Sequence, residues 1–154
     1  MNRMSPIRPA VPADVSALVA IENLCFPGNR LDRRRFLYQL RTANSATLVD
    51  AADGEVRGYV LLLFRRNSLA ARIYSIATHP LHTGKGIAAA LVCAAEQLAR
   101  ERGLHWQRLE VRQDNAASLS LFQRHGYRIF GSYADYYHDG MDAVRLEKEL
   151  SLNQ

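Results

Sequence analysis

Gly84 and Gly86 stand just ahead of an apolar helical pattern that opens at Ile87. Of all the residue types in this chain, these two are placed to do the most definite chemistry. Residues 75–98 read SIATHPLHTGKGIAAALVCAAEQL: a short apolar strand, Pro80, a glycine-bearing loop and a long helix. Glycines before a helix N-terminus let the backbone approach a ligand closely. Several N–H groups there point outward with the helix dipole behind them, so the loop can hold phosphate without any side-chain charge. A P-loop is excluded, because Lys85 follows Gly84 without the earlier glycine or a following hydroxyl. Gly84, Gly86 and Ala89 formally match the dinucleotide fingerprint. In that fold, however, the strand enters the first glycine directly and usually opens the domain. Here Pro80 to Thr83 intervene, about halfway along the chain.

Composition limits what surrounds this loop. With 154 residues and 48% hydrophobic content the chain holds one domain with a full core, residues 1–154, and is too short for two ordinary ones. The formal charge is +5, carried almost wholly by arginine, with Lys only at 85 and 148. The arginines are scattered without aromatic interleaving, so no nucleic-acid partner is expected. Arg33-Arg34-Arg35 reads as a solvated helix face. Cys25 and Cys93, one per helix, read as small buried hydrophobes in a reducing compartment. The opening MNRMSPIRPA lacks the apolar core of a signal peptide. Val60 to Phe64 is far shorter than the roughly twenty residues a membrane span needs. A soluble cytoplasmic protein with no membrane partner and no metal is expected.

The elements that must position the loop follow from periodicity. Ile7 to Val11 is a strand, and a helix from Pro12 carries Val15, Leu18, Val19 and Cys25 until Pro27-Gly28. A second helix carries Leu31, Phe36, Leu37 and Leu40. Strands follow at Ala46 to Ala51, Gly58 to Phe64 and Ile73 to Thr78, with an Asp53-Gly54 turn between the first two. The helix after the loop has Ile87, Leu91, Ala94 and Leu98 as its expected buried stripe and ends at Gly103. Trp106 to Arg112 is a strand, Asn115 to His125 a helix, and Tyr127 to Tyr133 and Val144 to Leu150 are the last strands. The order is one strand, two helices, three strands, helix, strand, helix, two strands.

That order and the loop resemble the GNAT acyl-CoA N-acyltransferases, whose motif A reads V-x-P-x-[YF]-[RQ]-x-x-G-x-[GA]. Pro80, His82 and Gly86-Ile87-Ala88 hold matching positions, while Thr83 stands where the family most often has Arg or Gln. The second half is similar to the ribosomal-protein-alanine N-acetyltransferases, the RimI group. The matching residues are Leu109-Glu110-Val111-Arg112, Asn115-Ala116-Ala117, Gly126-Tyr127, Tyr136-Tyr137, Asp139-Gly140 and Asp142-Ala143. The first half matches loosely, through Glu22 and Phe26-Pro27. The resemblance implies an α+β GNAT fold, a mostly antiparallel twisted sheet of about seven strands flanked by about four helices.

It also implies roles. Acetyl-CoA is the implied acyl donor, held by Ile76, Ala77 and Thr78 at the strand end, by Gly84, Lys85, Gly86, Ile87, Ala88 and Ala89 of the loop, and by Asn115. In the family the strand end splays from its neighbour and its main-chain groups bind the acetyl carbonyl. Donors aimed at a developing oxyanion are worth roughly 3 to 4 kcal/mol each. Glu110 matches the family's proton acceptor, and alternation puts it opposite Leu109 and Val111. A salt bridge to Arg108 or Arg112 is the simpler use of that carboxylate. Asn is also a favoured N-cap. Phe122 aligns with the family's tyrosine acid and has no proton to give; Tyr136, Tyr137 and Tyr133 are the candidates to supply the hydroxyl instead, with packing or acceptor binding as their other use.

The expected activity is direct acetyl transfer to a primary amine, foremost the α-amine of a protein or peptide, with a ribosomal protein among the candidate acceptors. An α-amine titrates near roughly 8 and a lysine near roughly 10.4, a gap of about 3 kcal/mol in deprotonation. A lysine or small-molecule amine, or a non-catalytic acyl-CoA-binding module, are the alternatives. A monomer or homodimer fits equally.

Overall fold

The computed structural model describes residues 6–28 and 30–150. Residues 1–5 of the opening MNRMSPIRPA, in which no signal-peptide core is expected, lie outside that range. In chain order the elements are β1 (Ile7–Pro9), α1 (Val15–Cys25), α2 (Arg33–Arg41), β2 (Ser45–Ala52), β3 (Glu55–Phe64), β4 (Ala70–Thr78), α3 (Ile87–Glu101), β5 (Trp106–Arg112), α4 (Ala116–Arg124), β6 (Arg128–Tyr133) and β7 (Ala143–Glu149). The seven strands form one sheet in the order β1-β2-β3-β4-β5-β7-β6. Pairs β1/β2, β2/β3, β5/β7 and β6/β7 are antiparallel, and β4/β5 is parallel. This is the expected α+β layout, with no element gained or lost apart from single helical turns at Pro12–Asp14 and Pro80–His82.

The chain divides into two compact units, Met1–Leu63 with Ser75–Ala95, and Phe64–Tyr74 with Glu96–Gln154. The first has its core where α1 and α2 cover β2 and β3: Val15, Leu18, Ile21, Leu31, Phe36, Val49, Tyr59, Leu61 and Ala77. Phe36 meets the edge of Tyr59 at 5.6 Å between ring centroids. In the second unit Ala71, Ala99 and Leu150 pack with Phe64 and Leu104. β5 alternates cleanly, Gln107, Leu109 and Val111 being buried while the residues between them are half-exposed.

Three local expectations are corrected. Leu31 precedes α2 and sits in the loop before it; Asp32 caps the helix by accepting from Arg35 N at 2.9 Å. The buried stripe of α3 runs through Ile87, Leu91, Val92, Ala95 and Ala99, whereas Ala94 and Leu98 are only half-buried. In a helix so rich in alanine, periodicity does not distinguish steps of three from steps of four. The same rotation leaves Cys93 exposed, not buried, and Cys25 half-buried. Arg33, Arg34 and Arg35 are exposed, as a solvated face requires.

One glycine governs how the first unit closes. A Cβ on Gly58 of β3 would lie 2.9 Å from the Ala77 carbonyl oxygen, 3.1 Å from Ile87 Cγ2 and 3.3 Å from Leu91 Cδ1. The end of β4 and the start of α3 therefore meet over a residue without a side chain. Gly58→Ala should destabilise the protein by about 1 to 3 kcal/mol through overpacking against backbone. Urea unfolding of the two proteins measures it.

Candidate active site

In the first unit, β4 ends against its neighbours. The Ala77 carbonyl approaches Gly58. The Thr78 carbonyl accepts from Cys25 Sγ at 3.3 Å, and His79 N donates to Arg57 O at 2.7 Å. Burial, then the nearby Glu22 carboxylate, pushes the Cys25 thiol up. Pro80–His82 makes one turn, in which the His79 Nδ1 accepts from Leu81 N. Gly84 and Gly86 take φ of +80° and +78°, the left-handed region that L side chains avoid, and nothing crowds either position.

α3 then starts. Its first intrahelical bond runs from Ala90 N to Gly86 O at 3.0 Å. The N–H groups of Ile87, Ala88 and Ala89 thus precede any helical carbonyl partner, at the positive end of the 15-residue helix. Lys85 Nζ lies 2.9 Å from His82 Nδ1, and His82 Nε2 lies 3.1 Å from Glu55 Oε1, both within hydrogen-bond distance. That contact, chiefly, holds the Glu55 carboxyl below its ordinary range. The loop is thus braced by side chains on its flank while its glycine backbone stays open.

Deeper in the same unit lies Glu22, 3% exposed. Its Oε2 accepts from Leu31 N at 2.8 Å and its Oε1 from the Tyr59 hydroxyl. With its proton given to Glu22, Tyr59 accepts from Ser75 Oγ at 2.8 Å. Burial first, then Glu22, drives the Tyr59 phenol far above its usual titration range. The early match at Glu22 therefore marks a tie between α1, the loop before α2, β3 and β4. Tyr59→Phe strips a buried carboxylate of one donor and should cost about 1 to 3 kcal/mol in urea unfolding.

In the second unit, one face of the sheet carries a ladder of charge. The β5/β7 register sets Glu110 opposite Arg145 and Arg108 opposite Glu147, cross-strand pairs of opposite sign. Glu147 spends both oxygens: Oε1 accepts from Arg108 Nε at 3.1 Å and Oε2 from Arg128 Nη2 at 2.8 Å. Glu110 is equally sheltered, at 7% side-chain exposure, but spends one. Arg72 of β4 holds its Oε1 with both Nε and Nη2, each at 2.7 Å. Oε2 has Arg145 Nε at 3.7 Å, beyond hydrogen-bond reach, and that Nε has no hydrogen-bond partner. The partners anticipated for Glu110 are otherwise engaged, Arg108 with Glu147 and Arg112 with Asp114 and Asp139.

The tyrosines stand on an ordered turn. Tyr136 N and Tyr137 N both donate to Met141 O at 3.1 Å, and Asp142 Oδ1 accepts from Asp135 N at 2.9 Å. Asp139 pairs with Arg112 at 2.7 Å, which holds its carboxyl below the usual range, and the Arg112 guanidinium lies over the Tyr137 ring. Tyr136 stacks on Tyr133 at 5.5 Å and meets Tyr137 edge-on at 5.0 Å. Its hydroxyl accepts from Arg72 Nη2 at 3.0 Å. Burial, then Tyr136 and Glu110, raises the Tyr137 phenol. Asn115 caps α4, its Oδ1 accepting from Ser118 N at 3.1 Å. Phe122 is 1% exposed and packs edge-on against Tyr127 at 5.2 Å.

Residues 15–127 match the Acetyltransferase (GNAT) family. The chain belongs to that family. It is 32% identical, over 96% of its length and 79% of the relative's, to the N-terminal acetyltransferase A complex catalytic subunit NAA10 of Arabidopsis thaliana. Among solved structures it resembles a ribosomal-protein-alanine N-acetyltransferase from Brucella melitensis, with TM-score 0.81 and 25% identity over 94% of this chain and 99% of that one. It also shares its fold with yncA of Salmonella typhimurium, a putative acetyltransferase solved with acetyl-CoA, at TM-score 0.82 and 23% identity over 97% and 95%. The protein is thus a GNAT acyltransferase.

For a GNAT chain, the expected site residues fall as follows. Ile76, Ala77 and Thr78, and Gly84, Lys85, Gly86, Ile87, Ala88 and Ala89, all fall within Ser75–Ala95 of the first unit. Glu110, Asn115, Tyr136 and Tyr137 lie in the second. Arg72 joins Glu110 to Tyr136. Arg72 escaped the sequence reading; its signal is a lone cation in the strand AARIYSIAT, otherwise apolar or small. Among the described residues no cluster of three or more His, Cys, Asp and Glu could hold a metal ion, and no helix is long and apolar enough to cross a membrane.

Proposed function

We propose that this GNAT enzyme transfers the acetyl group of acetyl-CoA to the α-amine of a protein or peptide N-terminus. One observation carries the proton chemistry: of two sheltered carboxylates on the same sheet face, Glu147 has both oxygens bonded and Glu110 keeps Oε2 open. The open glycine backbone and the partnerless N–H groups of Ile87, Ala88 and Ala89 suit the diphosphate of coenzyme A. The NAA10 likeness favours an N-terminal acceptor.

Acetyl-CoA supplies an activated thioester. The neutral amine forms the new N–C bond at the carbonyl, and Glu110 Oε2 receives the proton that nitrogen gives up. As the C–S bond breaks, the electron pair stays on sulfur. A thiol pKa of roughly 8.5 makes this a good leaving group, which softens the loss of a tyrosine at Phe122. Tyr136 or Tyr137 offers the hydroxyl that returns a proton to sulfur. Transfer is direct: Cys25 keeps its proton on the Thr78 carbonyl, and its thiol is pushed up.

Peptides carrying both a free α-amine and a lysine, incubated with acetyl-CoA and fragmented by mass spectrometry, test the reading. Acetyl on the α-nitrogen is expected. Acetyl on lysine alone moves the acceptor to side chains, and no acetylated amine of any kind contradicts the proposal. Gly86→Glu should lower acetyl-CoA affinity at least about tenfold, because a bulky anion at positive φ meets the diphosphate. Glu110→Gln should cut turnover by about 10²- to 10⁴-fold while calorimetry finds acetyl-CoA binding nearly unchanged.

A further inference from the structure

The geometry points to Arg72 as a positioning residue that fixes which oxygen of Glu110 is open and ties the Tyr136 hydroxyl to the same guanidinium. The inference rests on the reading that Glu110 receives the amine proton.

The contacts form a closed circuit. Arg72 Nε donates to Glu110 Oε1, while Nη2, in ion-pair contact with the same oxygen at 2.7 Å, donates to the Tyr136 hydroxyl. Tyr136 stacks on Tyr133, the Tyr133 ring carries the Arg145 guanidinium at 4.5 Å, and Arg145 Nε stops 3.7 Å from Glu110 Oε2. Arg145 is therefore packed against aromatic faces, Tyr133 and Phe130, and meets the carboxylate opposite it as an ion pair at 3.7 Å without a hydrogen bond. A fork gripping both oxygens, as carboxylates usually meet arginine, would leave Glu110 as spent as Glu147. Two nitrogens set against one oxygen orient the carboxylate and leave the other oxygen without a hydrogen bond, able to take the proton of an incoming amine. Burial alone would lower the guanidinium's own pKa, yet Glu110 and Tyr136 outweigh it and raise it, so Arg72 stays charged throughout.

The same nitrogen that holds Oε1 sets Tyr136. Removing Arg72 thus loosens two groups at once. A misplacement near 1 Å at a reacting group costs about 100-fold in rate. Arg72 itself touches neither the amine nor the thioester in this scheme.

Arg72→Ala and Arg72→Lys test it, with Arg128→Ala as a control that removes a guanidinium from Glu147 instead. Arg72→Ala should lower kcat about 100-fold with KM for acetyl-CoA within about twofold, and added ethylguanidinium should restore rate saturably. Arg72→Lys keeps the charge but not the two-nitrogen grip; it should stay folded by circular dichroism and still lose about tenfold in kcat. Arg128→Ala should match the unsubstituted enzyme. A kcat for Arg72→Ala within twofold of the unsubstituted enzyme overturns the inference and leaves the acetyltransferase reading standing. So does a loss that tracks the unfolded fraction and resists ethylguanidinium. An unsubstituted protein that acetylates no amine takes both down.

Discussion

The Ala77 carbonyl, the Ile87 side chain and the Leu91 side chain converge on the bare Cα of Gly58. This close approach fixes both ends of the loop from His79 to Gly86, because β4 stops and α3 starts over one spot. A chain pinned so tightly at both ends must turn sharply between them, and Gly84 and Gly86 supply the left-handed φ that such a turn needs. The glycines are thus a mechanical consequence of the packing as much as a concession to a ligand. The same turn opens α3 with its first N–H groups unspent. The backbone anion site proposed for this loop would need no arginine, so Thr83, in the place where GNAT proteins most often carry Arg or Gln, is compatible with it.

The second constraint is electrostatic. A carboxylate with 7% exposure pays heavily for desolvation unless cations compensate it. The second unit meets this with guanidinium groups on one sheet face, through Arg72, Arg108, Arg128 and Arg145. A chain whose positive charge is almost all arginine can do this with directional hydrogen bonds as well as charge. In this part four arginines serve as the counter-charge of two sheltered carboxylates. Differential pairing is what separates them: Glu147 is locked into structure and Glu110 is left half-free.

Local periodicity was enough to place every strand and helix, since β5 alternates and α1 repeats at helical spacing. Gly84, Gly86 and Gly103 punctuated the chain where the structure turns. Side-chain partners were harder to read. Glu110 looked as if it would pair with a near neighbour, Arg108 or Arg112. Its real partner, Arg72, is 38 residues away and is brought in by the parallel β4/β5 register, which no local pattern encodes. Glu22 stood out only as a loose match, because its value lies in three tertiary contacts to Leu31, Tyr59 and, through Tyr59, Ser75. In α3, alanine's small size hid which side faces inward, and Cys93 was misplaced with it.

In the proposed reaction the backbone amides of residues 84–89 hold the diphosphate of acetyl-CoA. Amide nitrogen–proton NMR spectra of the protein, recorded as coenzyme A is added, test it most directly. The account predicts saturable shifts largest at Gly84, Gly86, Ile87, Ala88 and Ala89, which dephospho-coenzyme A, its diphosphate intact, reproduces at those five residues. Saturable binding that leaves those amides unmoved, with shifts gathered elsewhere in the chain, would contradict it.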